Sequence, residues 1–184
     1  MLVAVQAFLL LVMAVVLFWM CLVFISGLIS NFRGAPYVPM KKGLVRELLY
    51  FGELSPNDIF YDLGSGNGQF LISAIRDFNV QKAIGYEISP WPFLVSKWKT
   101  GNLKNIVVLR ENFLKADLSE ATFVYAYLFP KLIDRLASKL EKELKPGTKV
   151  LCSSFPIDVS RYPHFLLKKE AKIGNINAYL YHKI

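Results

Sequence analysis

The stretch Tyr61-Asp62-Leu63-Gly64-Ser65-Gly66-Asn67-Gly68-Gln69 decides the fold. It ends a short run rich in β-formers and opens a helical one. Its glycines at 64, 66 and 68 carry no Cβ, so the backbone can turn tightly and a ligand can come close to it. A dinucleotide-binding loop has the same setting but reads G-x-G-x-x-G, which would need its third glycine at position 69, where Gln69 stands. Asp62 adds a second discrimination, because a carboxylate two residues before the first glycine repels a pyrophosphate and attracts an ammonium or sulfonium group. Spacing and charge together favour S-adenosylmethionine over a nicotinamide dinucleotide, with Asp62, Gly64, Ser65, Gly66 and Gly68 as its first contacts.

Downstream, strand-like runs near 58–63, 82–87, 105–110, 121–128 and 148–153 alternate with helical runs at 69–78, 91–100 and 131–144, the last stopped by Pro146-Gly147. Such alternation predicts an α/β fold with a parallel sheet and right-handed crossovers. The rhythm then breaks. Runs at 165–173 and 176–182 are separated by Gly174-Asn175, a hairpin signal, so the sheet is expected to end in an antiparallel pair.

The ends of successive strands carry the other candidate contacts. Glu87 closes the second strand, where a carboxylate can accept hydrogen bonds from both ribose hydroxyls. Asn112 and Phe113 follow the third; the amide is suited to the adenine edge and the ring to packing on it, although asparagine in a loop is also a common turn former. After the fourth strand come Tyr125, Tyr127, Phe129 and Pro130. With strand alternation the three rings share one side, either as the wall of an acceptor channel or as sheet core, and Pro130 suits the first turn of a helix. Tyr127, Phe129 and Pro130 are the candidate acceptor-site residues.

Upstream, no Asp, Glu, Lys or Arg occurs before Arg33, and the run from Leu2 to Ile29 exceeds the roughly 20 apolar residues that cross a bilayer. A secretory signal would show a charged n-region, a shorter apolar core and a small-residue cleavage site, none of which is present. A retained single-pass anchor at 1–32 is therefore expected. The first flanking charges, Arg33, Lys41, Lys42 and Arg46, put the following domain on the cytoplasmic side. Residues 33–57 read as a connector, with prolines at 36 and 39, followed by a short amphipathic helix that packs on the sheet; residues 58–184 form the catalytic domain.

The 184-residue chain carries a net charge of +8, enough length for one domain and an appendage. Along 131–145 the lysines and arginines are interleaved with acids, a solvated helix face that can also attract anionic headgroups. No aromatic-basic interleaving points to nucleic acid. The 2 cysteines lie in the span and in a strand and do not pair, and the 2 histidines lack metal-ligand spacing, so no metal is expected.

Pro36-Tyr37-Val38-Pro39, the 62–68 loop, Gly85-Tyr86-Glu87 and the looser Cys152-Ser153-Ser154-Phe155-Pro156 resemble the class I methyltransferases. Within them they are most similar to the Dot1-like group, and there to the small membrane-associated mitochondrial-type enzymes that methylate lysine on the adenine nucleotide translocase and the ATP synthase c-subunit. The resemblance covers about residues 35–184. It implies a Rossmann-like, mostly parallel seven-stranded sheet with a reversed last strand, S-adenosylmethionine contacts from Asp62, Gly64, Gly66, Glu87 and Asn112, and a protein lysine as acceptor; Tyr37, Ser65, Gly68 and Phe113 complete the candidate cofactor-binding residues. One departure matters: where that group reads Gly-Asp-Gly-Arg, this chain has Gly66-Asn67-Gly68-Gln69, two amides in place of two charges. The expected function is a membrane-tethered methyltransferase acting on lysine of a membrane protein. The alternatives are a lipid or small hydrophobic acceptor, or a membrane module that binds the cofactor without catalysing.

Overall fold

A computed structural model describes residues 2–32 and 40–184, with side chains for 2–28 and 40–184; the 33–39 connector and Tyr37 lie outside the described residues. Twelve elements follow in the order α1 (Leu2–Phe32), α2 (Lys42–Phe51), β1 (Ile59–Leu63), α3 (Gln69–Phe78), β2 (Lys82–Tyr86), α4 (Pro90–Thr100), β3 (Ile106–Leu109), β4 (Phe123–Ala126), α5 (Pro130–Glu143), β5 (Lys149–Ser153), β6 (Phe165–Ile173) and β7 (Ile176–Lys183). The seven strands form one sheet in the order β3-β2-β1-β4-β5-β7-β6. The first five are parallel, while β7 runs antiparallel to both β5 and β6, as the Gly174-Asn175 turn predicts. Strand order reverses between β1 and β4, and the crevice at their carboxyl ends is where this architecture receives ligands.

Alternation along the strands sorts the core onto two faces. Phe60, Phe123, Tyr125 and Leu151 join Val45, Leu48 and Leu49 of α2 and Leu71 and Ala74 of α3 on one side. Tyr61, Leu63, Val124, Val150 and Cys152 meet Leu132, Ile133, Leu136 and Leu140 of α5 on the other. The short helix expected to pack on the sheet is thus α2, whose three core residues are fully buried.

At the amino ends of the strands a buried polar cluster ties the sheet together. Asp58 accepts from Lys149 Nζ at 2.7 Å, from Thr122 Oγ1 at 2.9 Å and from the Ser55 hydroxyl and amide at 2.8 Å, joining the approaches to β1, β4 and β5. Burial opposes ionisation of Asp58, but the Lys149 ammonium and the Ser55 donors outweigh it and hold the carboxyl below its ordinary value.

Helix α1 does not stand apart from the domain. It packs on α4, where Trp19 and Trp91 meet edge to face with ring centroids 4.2 Å apart. Ser26 Oγ accepts a hydrogen bond from the Trp91 amide at 2.9 Å while donating to the Leu22 carbonyl at 2.8 Å. Trp91 lies in the first turn of α4, whose amides have no partner within the helix, so Ser26 caps α4 from 65 residues away.

Candidate functional site

The glycine loop crosses from β1 into α3 with positive φ at all three of its glycines, 94° at Gly64, 53° at Gly66 and 77° at Gly68. Side chains resist that conformation, which accounts for the G-x-G-x-G spacing. The loop is fastened from β2. The amides of Gly64 and Ser65 both donate to the Tyr86 carbonyl at 2.9 Å, and the Gly68 amide closes a turn on the Ser65 carbonyl at 2.9 Å. Gly85 makes this approach possible, because a Cβ there would lie 2.5 Å from Leu71 Cδ1 and 2.7 Å from Ser65 Oγ.

Glu87 is the junction of the site. Its Oε2 accepts from the Gly66 amide at 3.0 Å and its Oε1 from the Ser89 amide at 2.7 Å, so one carboxylate pins the glycine loop to the start of α4. Burial raises its pKa, and the bonds from Ser89 and Gly66 oppose that rise. Asp62 is more extreme. It is 2% exposed, burial drives its pKa well above the usual carboxylate range, and the charge of Glu87 adds to the rise. Asp62 Oδ2 and Ser65 Oγ are buried without a hydrogen-bond partner among the described residues, an arrangement that costs free energy unless a ligand completes it. A cationic ligand with hydrogen-bond donors does so: an acceptor-only carboxylate beside a loop of bare backbone fits the amino acid part of S-adenosylmethionine, and Glu87 fits its ribose.

The amide at position 67 has a local task. Asn67 Oδ1 accepts from the Gln69 amide at 3.3 Å, supporting the first turn of α3 without any charge. Gln69 turns away from the loop and lines a cleft of about 650 Å³ between α2, α3 and α4, with Lys42, Arg76 and Lys99 at its edge.

Asn112 follows β3 and uses its Oδ1 in a turn, accepting from the Leu114 amide at 3.0 Å, and its amide nitrogen can donate to a ligand. Phe113 is 6% exposed and packs in the core on the α5 side. Of the aromatic series, Tyr125 is core: it stacks on Phe70 at 4.0 Å and its hydroxyl donates to Ser153 Oγ at 3.1 Å. The expectation that Tyr125, Tyr127 and Phe129 share one side is corrected, because β4 ends at Ala126 and its alternation stops there. Tyr127 packs against the same cluster as Tyr125, whereas the half-exposed Phe129 pairs edge-on with Phe155 of the opposite cluster, 6.3 Å between centroids. Pro130 opens α5. Cys152 is no nucleophile, since burial pushes its thiol up to about 12.

Sequence reasoning missed Ser89 and Ser26. Ser89 stands before Pro90-Trp91-Pro92, a helix-start pattern that could have drawn attention to it; nothing local marks Ser26.

The family model for the ANTKMT methyltransferase domain matches residues 62–162. A protein-lysine N-methyltransferase of Saccharolobus islandicus (strain REY15A) is 40% identical over 149 residues, 79% of this chain and 92% of that protein. The adenine nucleotide translocase lysine N-methyltransferase of Mus musculus is 29% identical over 125 residues, and the lysine N-methyltransferase of Xenopus laevis named for the ATP synthase c-subunit is 29% identical over 124; each alignment takes in 66% of this chain. The chain spans about half the length of these two vertebrate relatives, 54% in both cases. Among solved structures, an RNA methyltransferase from Salinibacter ruber in complex with S-adenosyl-L-homocysteine superposes with a TM-score of 0.70 at 28% identity, covering 79% of this chain and 94% of that one.

Proposed function

We propose, from the premise that this chain belongs to the ANTKMT methyltransferase domain family and is an S-adenosylmethionine-dependent methyltransferase, that it methylates the side-chain amine of a lysine in a membrane protein while tethered to the membrane by α1. The observation that carries the acceptor is the 40% identity, over 92% of that protein's length, with an enzyme named for protein lysine. The mouse and frog relatives are named for lysines of the adenine nucleotide translocase and the ATP synthase c-subunit, which supports a membrane-protein acceptor. The tether rests on α1, whose apolar stretch Leu2–Leu28 is long enough to cross a bilayer; the charges that follow it at 33, 41, 42 and 46 favour a cytoplasmic catalytic domain.

Bound S-adenosylmethionine supplies a methyl group made electrophilic by the adjoining sulfonium. The residues of the chain position it: Asp62 faces the amino acid part, Gly64, Ser65, Gly66 and Gly68 let the backbone approach, Glu87 takes the ribose hydroxyls, and Asn112 closes the adenine end, with Phe113 in the core beside it. Tyr37, by resemblance, belongs to the same set. Tyr127, Phe129 and Pro130, beyond the end of β4, lie where the acceptor enters. Their rings lower the local polarity, which favours the neutral lysine amine over the ammonium. The amine, with an ordinary pKa of about 10.4, then loses its proton to solvent on entry. Aligning donor and acceptor in a dry site is worth about 7–11 kcal/mol of the barrier.

The test incubates the full chain, reconstituted in vesicles with a membrane-protein fraction, with methyl-labelled cofactor. Label recovered as methyl-lysine after acid hydrolysis supports the reading; label in the lipid extract or in RNA replaces it. The pH dependence tests the proton step. The rate is expected to climb with pH towards about 10, and a plateau at lower pH that disappears on substituting one protein carboxyl would overturn deprotonation by solvent.

A further inference from the structure

We propose that the outer face of α4 is a seating surface that lies on the anionic headgroup layer beside α1, holding the cofactor crevice against the lipid. The proposal rests on the membrane reading of α1.

Three observations carry it. Helix α4 buries Pro92, Ser96 and Thr100 inward, yet its outward stripe is apolar: Leu94 is 49% and Trp98 84% exposed, and Trp91, one turn earlier, is engaged with α1. Residues 91, 94 and 98 follow helical spacing, and an exposed tryptophan at the end of such a stripe has the side chain that concentrates at membrane-water boundaries. The charge is complementary to anionic lipid. From Ile88 to Arg110 there is no Asp or Glu, while Lys97, Lys99 and Lys104 are exposed. By contrast, the cations of α5 lie on the other face of the sheet, and Lys139 is spent on Glu143. The third observation is length. The apolar stretch of α1 runs 27 residues, about 7 more than a bilayer needs, a surplus of roughly 10 Å. Counted from Leu2, about 20 residues end near Cys21, so the segment that docks on α4, between Trp19 and Ser26, straddles the end of the span. Docking there sets the start of α4 at the level where hydrocarbon gives way to headgroups. A lipid surface, continuous with the span, therefore suits this stripe better than a protein partner.

The chain's 3 tryptophans are 19, 91 and 98, so their fluorescence reads the proposal directly. The full chain and its Trp98→Phe and Trp19→Phe variants are reconstituted in phosphatidylcholine-phosphatidylglycerol vesicles whose acyl chains carry bromine near the headgroup. Binding of S-adenosylhomocysteine confirms that each variant is folded; position 98 is exposed, so its substitution removes no core contact. If the stripe is seated, Trp98→Phe removes about a third of the lipid-quenchable emission, one ring of three. Adding Lys97→Glu and Lys99→Glu to the otherwise native chain then shifts the Trp98 component into reach of aqueous iodide. If Trp98 emission is quenched by iodide and not by bromolipid while the Trp19 component is lipid-quenched, the seating is wrong, the tether stands, and the stripe belongs to a protein partner. If neither component is quenched by lipid, both the seating and the membrane reading fall.

Discussion

Asp62 is held at a disadvantage by the fold that contains it. Its carboxyl is buried with one oxygen unpartnered, and burial together with Glu87 raises its pKa well above the ordinary range. A raised folded-state pKa means that the residue's share of stability is fully present below the unfolded value of about 4 and is lost as pH rises through the raised value. At neutral pH the ligand-free protein therefore bears a cost that a cationic ligand relieves. Asp62→Asn is expected to leave the thermal midpoint of the ligand-free protein unchanged or higher at neutral pH. The same substitution should weaken S-adenosylmethionine binding by roughly 10- to 100-fold, the range for a hydrogen bond to a charged group. A lower midpoint with unchanged affinity, measured by thermal scanning and titration calorimetry, would assign Asp62 to structure instead. At Glu87 the distinction is subtler, because its two oxygens also pin Gly66 and Ser89. Glu87→Gln, which preserves an acceptor for one amide, separates ribose binding from loop support better than Glu87→Ala.

Elements are tied together where no local signal announces it. Lys149 and Asp58 are 91 residues apart in sequence, yet their pair closes the amino ends of β1 and β5. Both side chains are largely buried, so Asp58→Asn leaves an ammonium without its counter-charge and is expected to cost about 3 kcal/mol in denaturant unfolding. The folded pKa of Asp58 is depressed, so its contribution is present above the unfolded value of about 4 and is lost as pH falls through the folded one. The variant's deficit should therefore shrink in acid, and a deficit independent of pH would show that the pair contributes little. Strand and helix identity were legible because burial on one or both faces writes itself into apolar periodicity, and the Gly174-Asn175 turn was legible because of its special backbone needs. The glycine loop was legible for the same reason. The Asp58 pairing, the turn that occupies Asn112 Oδ1 and the core position of Tyr125 were not, since each depends on which distant element arrives as neighbour. The supposed common side of Tyr127 and Phe129 failed for a local reason: alternation holds only while the strand lasts.

On the scale of the whole molecule, helix α1 and the catalytic domain share a contact rather than only a covalent connection. Ser26 supplies a cap worth about 1 kcal/mol to a helix whose start is also bonded to Glu87. Ser26→Ala should accordingly raise amide exchange at Trp91 by about five-fold, with exchange in α3 and α5 unchanged, as read by hydrogen-deuterium exchange on the full chain. Equal exchange at Trp91 in the two proteins would mean that the Ser26 bond does not hold α4 to α1. If α1 crosses the bilayer as proposed, its contact with α4 would give the catalytic crevice a set altitude above the lipid. Such a device would work as a ruler, with an acceptor chosen by how far its lysine stands out from the bilayer.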